Sequence, residues 1–342
     1  MEIDVGLEPV DLSYEAEAHV AVDAARLGYT RIWTGSLGDP FQTCALRWAE
    51  TRGVVPGGIG TAIGVMPVAP RTPADLALRA AALSRLTGGR FVLGIGAGSV
   101  DDPAYRRVWG IQERSPLVLV RAYLMTIRGF LAGESVTYRG SGIDYDDARL
   151  PAEPTRVPLY LGALGPEMVR LGGELADGIY LSWCTADNVS STRDRIAEGA
   201  ARVGRDPAAV KLAASVRVCI DADERATREA FATALLPYVL GWDGTPLRPF
   251  LSHFERMGFG PEIAEIERMS ARGAGHQQII KAFPERMLRE LGYFGPAAGA
   301  AEALRRFAGA ADIAVVRLVP ARPGVEAIRA ILDACRAVPT AS

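Results

Sequence analysis

Short apolar runs alternate with amphipathic segments along most of this chain, and the alternation predicts strands and helices in turn. The apolar runs have no polar face, which is typical of parallel strands that are covered on both sides. The amphipathic segments carry apolar residues at helical spacing, as at Ala18, Val22 and Ala25 in the first of them. The predicted strands span residues 3–7, 30–34, 58–65, 91–95, 159–162, 179–183, 212–220 and 313–319, and the predicted helices span residues 14–27, 41–52, 74–86, 117–132, 167–176, 189–203 and 224–240.

Strands and helices in this alternation predict an α/β fold, the (β/α)8 or TIM barrel, rather than a doubly wound sheet. We expect a single domain over residues 1–342 that carries two insertions. The first insertion, at about residues 133–158, is predicted to be irregular. The second, at about residues 221–311, separates strands seven and eight and is too long for a plain connection. We expect it to be a helical insertion over one mouth of the barrel.

Composition and charge narrow the class of protein. The formal net charge is −2, with 38 basic and 40 acidic residues interspersed, so no basic stripe favours nucleic acid as a partner. The first residues have the pattern of a strand and no long uncharged apolar segment follows, which disfavours membrane insertion and predicts a cytoplasmic protein. The 4 cysteines are far apart and the 3 histidines lack partners at metal-binding spacing, so we expect neither disulfides nor a metal site. Any chemistry would then reside in an organic cofactor.

Two glycine-rich junctions indicate where such a cofactor would bind. The segments RFVLGIGAGS, at residues 90–99, and VPLYLGALGPEM, at residues 157–168, each lead from an apolar strand straight into glycines. In the second, Gly165 and Pro166 start a helix whose free N–H groups can bind an anion. We therefore expect phosphate or ring contacts at Ala163, Leu164 and Gly165, whereas Gly96, Ala97 and Gly98 either approach the cofactor or only form a tight strand exit.

Several segments in a fixed order carry a family resemblance. They are VGLEPV, LGYTRIWTGSLGDPF, IGTAIGVMPVAPRTPADLA, GRFVLGIGAGS, VPLYLGALGPEMVRLGGELADGIYLSWCT and HFERMGFG. With them the chain resembles the bacterial luciferase-like monooxygenase superfamily, and within it the deazaflavin-dependent branch related to methylenetetrahydromethanopterin reductase. The resemblance is close over residues 1 to about 190 and loose over the remainder. It implies a TIM barrel that binds coenzyme F420, or FMN as the alternative, at the carboxyl ends of its strands.

The resemblance also implies which residues hold the cofactor ring. In the family the third strand commonly ends in a non-proline cis peptide that backs the ring, and this bond corresponds to Gly64–Val65 here. The sixth strand contacts the ring at its end, which corresponds to Trp183 and Cys184. For this pair, a role in packing is the alternative.

Polar residues at the ends of the first two strands are the candidates for proton chemistry. Glu8 matches an active-site glutamate of the reductase branch and is the expected proton donor, with an ion pair to an arginine at the rim as the alternative. Ser36 and Asp39 are expected polar contacts to the ring or substrate. This part of the chain departs from the family, whose second strand often ends in an acid followed by His.

Together these features predict an oxidoreductase that transfers hydride between F420 and a small organic substrate. We expect a homodimer, which is common among soluble enzymes and in this family. Two alternatives remain, an FMN-dependent monooxygenase of the same superfamily and a non-catalytic relative that only binds a cofactor or a partner.

Overall fold

The computed structural model describes residues 1–7, 12–35, 38–242 and 246–336. In these residues, short parallel strands alternate with helices along the chain as in the predicted (β/α)8 barrel, and the fold class is confirmed. The strands are β1 (Glu2–Leu7), β2 (Arg31–Thr34), β3 (Gly60–Pro67), β4 (Phe91–Gly96), β5 (Val136–Gly140), β6 (Ile143–Ala148), β7 (Leu159–Gly162), β8 (Gly178–Leu181), β9 (Lys211–Ile220), β10 (Gly292–Gly295) and β11 (Ile313–Leu318).

The helices begin and end within a few residues of the predicted positions where a prediction was made. They are α1 (Tyr14–Arg26), α2 (Pro40–Thr51), α3 (Pro73–Leu86), α4 (Pro103–Trp109), α5 (Pro116–Leu131), α6 (Pro166–Leu175), α7 (Ala186–Ala201), α8 (Glu224–Leu240), α9 (Arg248–Arg256), α10 (Gly260–Ala271), α11 (His276–Lys281), α12 (Glu285–Leu291), α13 (Ala300–Ala308) and α14 (Val325–Cys335).

Local sequence signals fix the ends of helix α3. The hydroxyl of Thr72 accepts a hydrogen bond from the amide of Asp75 at 3.2 Å, so Thr72 is the N-cap. Pro73 occupies the first helical position, where a missing N–H costs nothing. After the helix, Gly88 has a φ of 63°, a left-handed conformation that ends the helix and that glycine adopts without strain.

The described chain divides into two compact units. Unit A comprises Thr30–Tyr180 and Thr192–Ala213, and unit B comprises Met1–Tyr29, Leu181–Ser191 and Ala214–Ser342. In unit A the parallel strands lie in the order β2-β3-β4-β7-β8, with Leu93 of β4 paired to Ile63 on one side and to Leu159 on the other. These three side chains are fully buried, as the continuous apolar runs predict.

The insertion that was expected to be irregular instead contains a β-hairpin. Strands β5 and β6 pair antiparallel, and Gly140 lies opposite Ile143. Ser141 and Gly142 between them have φ values of 54° and 76°, as in a two-residue type I′ turn. The hairpin packs on helix α5 through Phe130 and Tyr145, whose ring centroids are 5.0 Å apart. The prediction was wrong because both strands are short and the alternation in IDYDDA breaks where Asp147 follows Asp146.

In unit B the parallel strands lie in the order β10-β9-β11-β1. The helical insertion after β9 is present as helices α8 to α12, and the short strand β10, which was not predicted, pairs with the carboxyl half of β9. An apolar core joins the insertion to β9, and its fully buried members include Cys219, Phe231, Phe254 and Ile266. The insertion is therefore a packed part of this unit. No helix among the described residues is long and apolar enough to cross a membrane.

Candidate functional site

The predicted site residues that the structure describes fall into two groups. Gly64, Val65, Asp39 and the two glycine junctions belong to unit A, and Trp183 and Cys184 belong to unit B. Glu8 and Ser36 lie outside the described residues.

The Gly64–Val65 peptide bond is cis, as the family resemblance implies. The half-buried side chain of Val65 lies against three glycines of two neighbouring strands. A Cβ atom on Gly94, Gly96 or Gly162 would lie 3.0, 3.1 or 2.7 Å from a methyl carbon of Val65. These glycines thus leave room for the valine that follows the cis bond, which gives Gly96 a packing role.

Aromatic side chains lie against the other residue of the cis bond. A Cβ on Gly64 would be 2.6 Å from Trp33 and 3.1 Å from Tyr180. The rings of Trp33 and Tyr180 have centroids 5.0 Å apart, and Tyr160 lies 5.6 Å from Trp33. Tyr180 is 3% exposed and its hydroxyl has no hydrogen-bond partner in the described chain. A buried hydroxyl without a partner is costly, so it marks a place where a ligand can supply the missing bond.

The junction after strand β4 is held by tight packing. Gly98 has a φ of 68°, and a Cβ there would lie 2.6 Å from the Tyr105 hydroxyl and 2.9 Å from Pro67. Only glycine fits both the left-handed backbone and the narrow space. Ala97, next to it, is half-buried. The sequence allowed two interpretations of this segment. The structure has the tight strand exit, and contact with a cofactor stays a prediction.

The junction after strand β7 presents the open start of helix α6. Gly165 is its N-cap, with φ −102° and ψ 157°, and no side chain caps the helix. Pro166 has no N–H, so the next amides of the first turn remain available to an anion. Ala163 is 1% exposed and Leu164 is half-buried, so the segment leading into the helix is largely covered.

Asp39 has a structural role in unit A. One carboxylate oxygen accepts a hydrogen bond from the amide of Phe41 at 3.0 Å and so caps helix α2. The other oxygen lies 3.2 Å from a guanidinium nitrogen of Arg71 and 3.7 Å from one of Arg79. Because both oxygens are engaged, a contact of Asp39 with ring or substrate would have to replace one of these bonds.

In unit B, Trp183 lies two residues beyond strand β8 rather than at its end. It is fully buried, and its φ of 51° is a left-handed conformation that a bulky residue rarely adopts. The ring nitrogen Nε2 of buried His253 lies 3.0 Å from the Trp183 carbonyl oxygen. This contact ties the tryptophan backbone to helix α9 of the insertion. The indole N–H of Trp183 has no hydrogen-bond partner in the described chain.

Cys184 is a buried neutral thiol. Burial raises its pKa to about 12, although the nearby charge of Arg217 acts in the opposite direction. A thiol with such a pKa is not a thiolate nucleophile at neutral pH. In the part of the chain that the structure describes, no group of three or more His, Cys, Asp or Glu side chains is arranged to hold a metal ion.

Sequence reasoning missed Trp33, Tyr180 and Arg217. The signals were present, because Arg217 interrupts the apolar run SVRVCI of strand β9 and is 2% exposed. A charged residue in a strand with no polar face is unusual. Where such a residue has no partner of opposite charge, it suggests a ligand-binding site. Trp33 and Tyr180 lie in predicted apolar strands. From the sequence alone, an aromatic residue in such a strand cannot be told from an ordinary core residue.

The chain belongs to the luciferase-like monooxygenase family, whose model matches residues 4–312. The 5,10-methylenetetrahydromethanopterin reductase of Methanolobus tindarius is 32% identical to it over 260 residues, which are 75% of each chain.

Solved structures agree with this assignment at the level of fold. The coenzyme F420 dependent tetrahydromethanopterin reductase from Methanopyrus kandleri has a TM-score of 0.78 and 22% identity, and the match covers 99% of each chain. An F420-dependent secondary alcohol dehydrogenase in complex with an F420-acetone adduct has a TM-score of 0.71 and 19% identity, covering 98% of this chain and 100% of that one.

Proposed function

We propose that this protein is an oxidoreductase that transfers hydride between coenzyme F420 and a small organic substrate. The observation that carries the proposal is the 32% identity to a methylenetetrahydromethanopterin reductase over 75% of each chain. Identity at this level, over most of both chains, argues for a shared cofactor more strongly than a shared fold does.

The residues of unit A fit a ligand that has a flat ring and a phosphate. The half-buried side chain of Val65, beside glycines that leave it room, can lie against the face of a ring. The uncapped first turn of helix α6, after Gly165, suits a phosphate. The unpaired hydroxyl of Tyr180 can donate to a polar atom of the ring or substrate.

When bound, F420 would supply the hydride chemistry itself. The protein then has to align the reacting carbons, exclude water and move a proton. Glu8 is the proposed proton donor, by its match to the family. For Trp183 and Cys184, contact with the ring stays a prediction, with packing as the alternative, and burial keeps the Cys184 thiol neutral.

The second candidate is an FMN-dependent monooxygenase, which the description of the matching family favours. The amides after Gly165 would serve the phosphate of either cofactor equally well. Discrimination must therefore come from the ring edge and from the acidic tail that F420 carries. A non-catalytic relative that only binds a cofactor or a partner is the third alternative.

We also propose that the partners are small molecules, that the protein acts in the cytoplasm and that it is a homodimer. The near-neutral charge of −2 gives no reason to expect nucleic acid or a charged membrane surface as a partner. Two-fold dimers are the most common oligomers of soluble enzymes.

Fluorescence titration of the purified protein with F420 and with FMN, at low and high salt, tests the proposal. We expect F420 to bind at micromolar concentration or tighter and FMN about tenfold or more weakly, a gap of roughly 1.4 kcal/mol. Binding of F420 should weaken with salt if arginines meet its acidic tail. Equal or stronger binding of FMN, with no salt-sensitive advantage for F420, would instead favour the monooxygenase.

A matched pair of variants tests where the phosphate binds. Gly165→Asp would cap helix α6 with a negative charge, and Gly165→Asn would cap it without charge. The backbone angles at Gly165 are open to any residue. We expect the aspartate variant to lose about tenfold or more in F420 affinity and the asparagine variant to lose less. Unchanged F420 affinity in both variants, with melting temperatures no lower than that of the wild type, would show that the phosphate does not bind at this helix.

A further inference from the structure

Arg217 is a buried cation whose charge is not balanced by any acidic residue in the described chain. It lies on strand β9 and is 2% exposed. One terminal nitrogen, Nη2, donates to the hydroxyl of Ser182 at 3.2 Å. The other, Nη1, is shielded from solvent and has no hydrogen-bond partner among the described residues. Burial of an unpaired charge is costly, and an anionic ligand that bound this guanidinium would offset the cost.

The surroundings of Arg217 are aromatic rather than acidic. Its guanidinium carbon lies 3.5 Å from the centroid of the Trp183 ring and 5.6 Å from that of Tyr238. Stacking on an indole face stabilises a guanidinium only in part. A stacked guanidinium keeps its N–H groups at the edge, where they match the two oxygens of a carboxylate.

A row of aromatic side chains leads from this cation to the surface of unit B. Tyr238 packs edge-on against Trp183, with centroids 5.2 Å apart, and against Trp242, with centroids 6.1 Å apart. Phe250 lies 4.7 Å from Tyr238. Tyr238 and Phe250 are half-buried, and Trp242 is 74% exposed. We call Trp183, Tyr238, Trp242 and Phe250 the aromatic row.

We propose that Arg217 and the aromatic row form a binding site for a flat, aromatic carboxylate, with the carboxylate on Arg217 and the ring along the row. The proposal rests on the proposed function, because it names the chemical class of the substrate. The unpaired N–H of Arg217 selects the oxyanion, and the side chains of Tyr238, Phe250 and Trp242 select a planar apolar body. Since the guanidinium is covered in this structure, the ligand enters by moving the half-buried Tyr238 rather than the fully buried Trp183.

Calorimetric titration of the full chain without cofactor tests the site with three probes. Benzoate has both the ring and the charge, acetate has only the charge, and benzyl alcohol has only the ring. We expect benzoate to bind at least about tenfold more tightly than acetate or benzyl alcohol. Failure of benzoate to bind, or equal binding of all three, would overturn the proposal.

Variants assign the binding to named side chains. Arg217→Met keeps the volume and removes the charge, so we expect a loss of about tenfold or more in benzoate affinity, and a smaller loss for Arg217→Lys. Arg322→Met is the control, because this arginine of the same unit is 62% exposed and paired with Asp221 at 3.1 Å, and it should leave benzoate binding unchanged. Benzoate binding to Arg217→Met as tight as to the wild-type protein contradicts the proposal.

Two further measurements keep the test decisive. If Arg217→Met does not fold, Trp242→Ala changes an exposed residue and should weaken benzoate several-fold while leaving acetate unchanged. F420 affinity of each variant separates the two sources of an oxyanion. A loss of F420 affinity in Arg217→Met would place the cofactor's acidic tail at Arg217 and overturn the assignment to substrate. Benzoate binding without any F420 binding would leave this site standing and refute the proposed function instead.

Discussion

The side chain of Val65 restricts which residues can occupy the neighbouring strand positions. Its methyl carbons occupy the space that a Cβ on Gly94 or Gly162 would need, and a Cβ on Gly94 would also lie 2.1 Å from the carbonyl oxygen of Ile63. A glycine-rich strand end thus has two explanations, close approach of a ligand and close approach of a neighbouring side chain. The sequence alone cannot separate them, because the valine comes from a different strand.

Glu8 is the residue on which proton transfer is predicted to depend. Glu8→Gln keeps the shape of the side chain and removes its ionisable proton, so turnover should fall while F420 affinity stays within a few-fold. The measurement is steady-state kinetics over a range of pH, together with cofactor titration. Glu15→Gln is the control, since Glu15 is an exposed residue of helix α1 and should change neither quantity. Unchanged turnover of Glu8→Gln at every pH would assign Glu8 to a structural ion pair.

At the scale of elements, one buried carboxylate ties three helices of unit A together. Glu174 of α6 lies 2.5 Å from a guanidinium nitrogen of Arg121 in α5 and 3.0 Å from one of Arg202, just after α7. Its side chain is 7% exposed. Burial by itself raises the pKa of Glu174, but the hydrogen bonds from Arg121 and Arg202 outweigh it, and the pKa is lowered overall.

Glu174→Gln should therefore destabilise the protein in a pH-dependent way. A carboxyl group whose pKa is lowered by folding stabilises the folded state at pH values above the ordinary glutamate pKa, which is near 4.3. This contribution disappears as the pH falls through the folded-state pKa. We expect a loss of about 1–3 kcal/mol at pH 7 that shrinks below about pH 4, measured by urea denaturation. Glu198→Gln is the matched control, because Glu198 pairs with Arg170 but is 50% exposed, and it should cost about 0.5 kcal/mol or less. A constant difference between wild type and Glu174→Gln at all pH values would refute the assignment.

The elements that the sequence predicts well are those with a strong period and a clear end. Helix α3 has a capping threonine, a proline at its first position and a glycine pair after its last turn, and the observed helix differs from the predicted one by one residue. Helix α4 was missed because it is only 7 residues long and none of them is buried. Strand β10 was missed because GYFG is short and its pairing with β9 is a tertiary contact.

The parts of the candidate site that could be predicted from the sequence are those formed by the backbone. The cis bond at Gly64–Val65 and the open helix start at Gly165 follow from glycine, proline and the family resemblance. Arg217 and Tyr180 owe their significance to partners that are missing, and a missing partner is visible only in three dimensions.

At the scale of the whole molecule, the two units interleave along the chain. The chain passes from one unit to the other after residues 29, 180, 191 and 213, so neither unit is a continuous segment. Strand β9 itself begins in unit A and continues in unit B. A unit built from separated segments cannot fold from one continuous fragment, and we therefore expect a single cooperative unfolding transition.

A cofactor that binds only the folded state must raise the temperature of that transition. F420 at about 100 times its Kd should add about 2.7 kcal/mol of stability, which corresponds to a rise in Tm of roughly 4 °C for a chain of this size. FMN at the same concentration should give a smaller rise, because its proposed affinity is lower. In Gly165→Asp the F420-dependent rise should shrink, whereas without cofactor its Tm should match or exceed that of the wild type, since a new N-cap stabilises helix α6. Scanning calorimetry of both proteins with each cofactor measures these shifts, and a full F420 shift in Gly165→Asp, or two transitions of which F420 moves only one, would contradict the expectation.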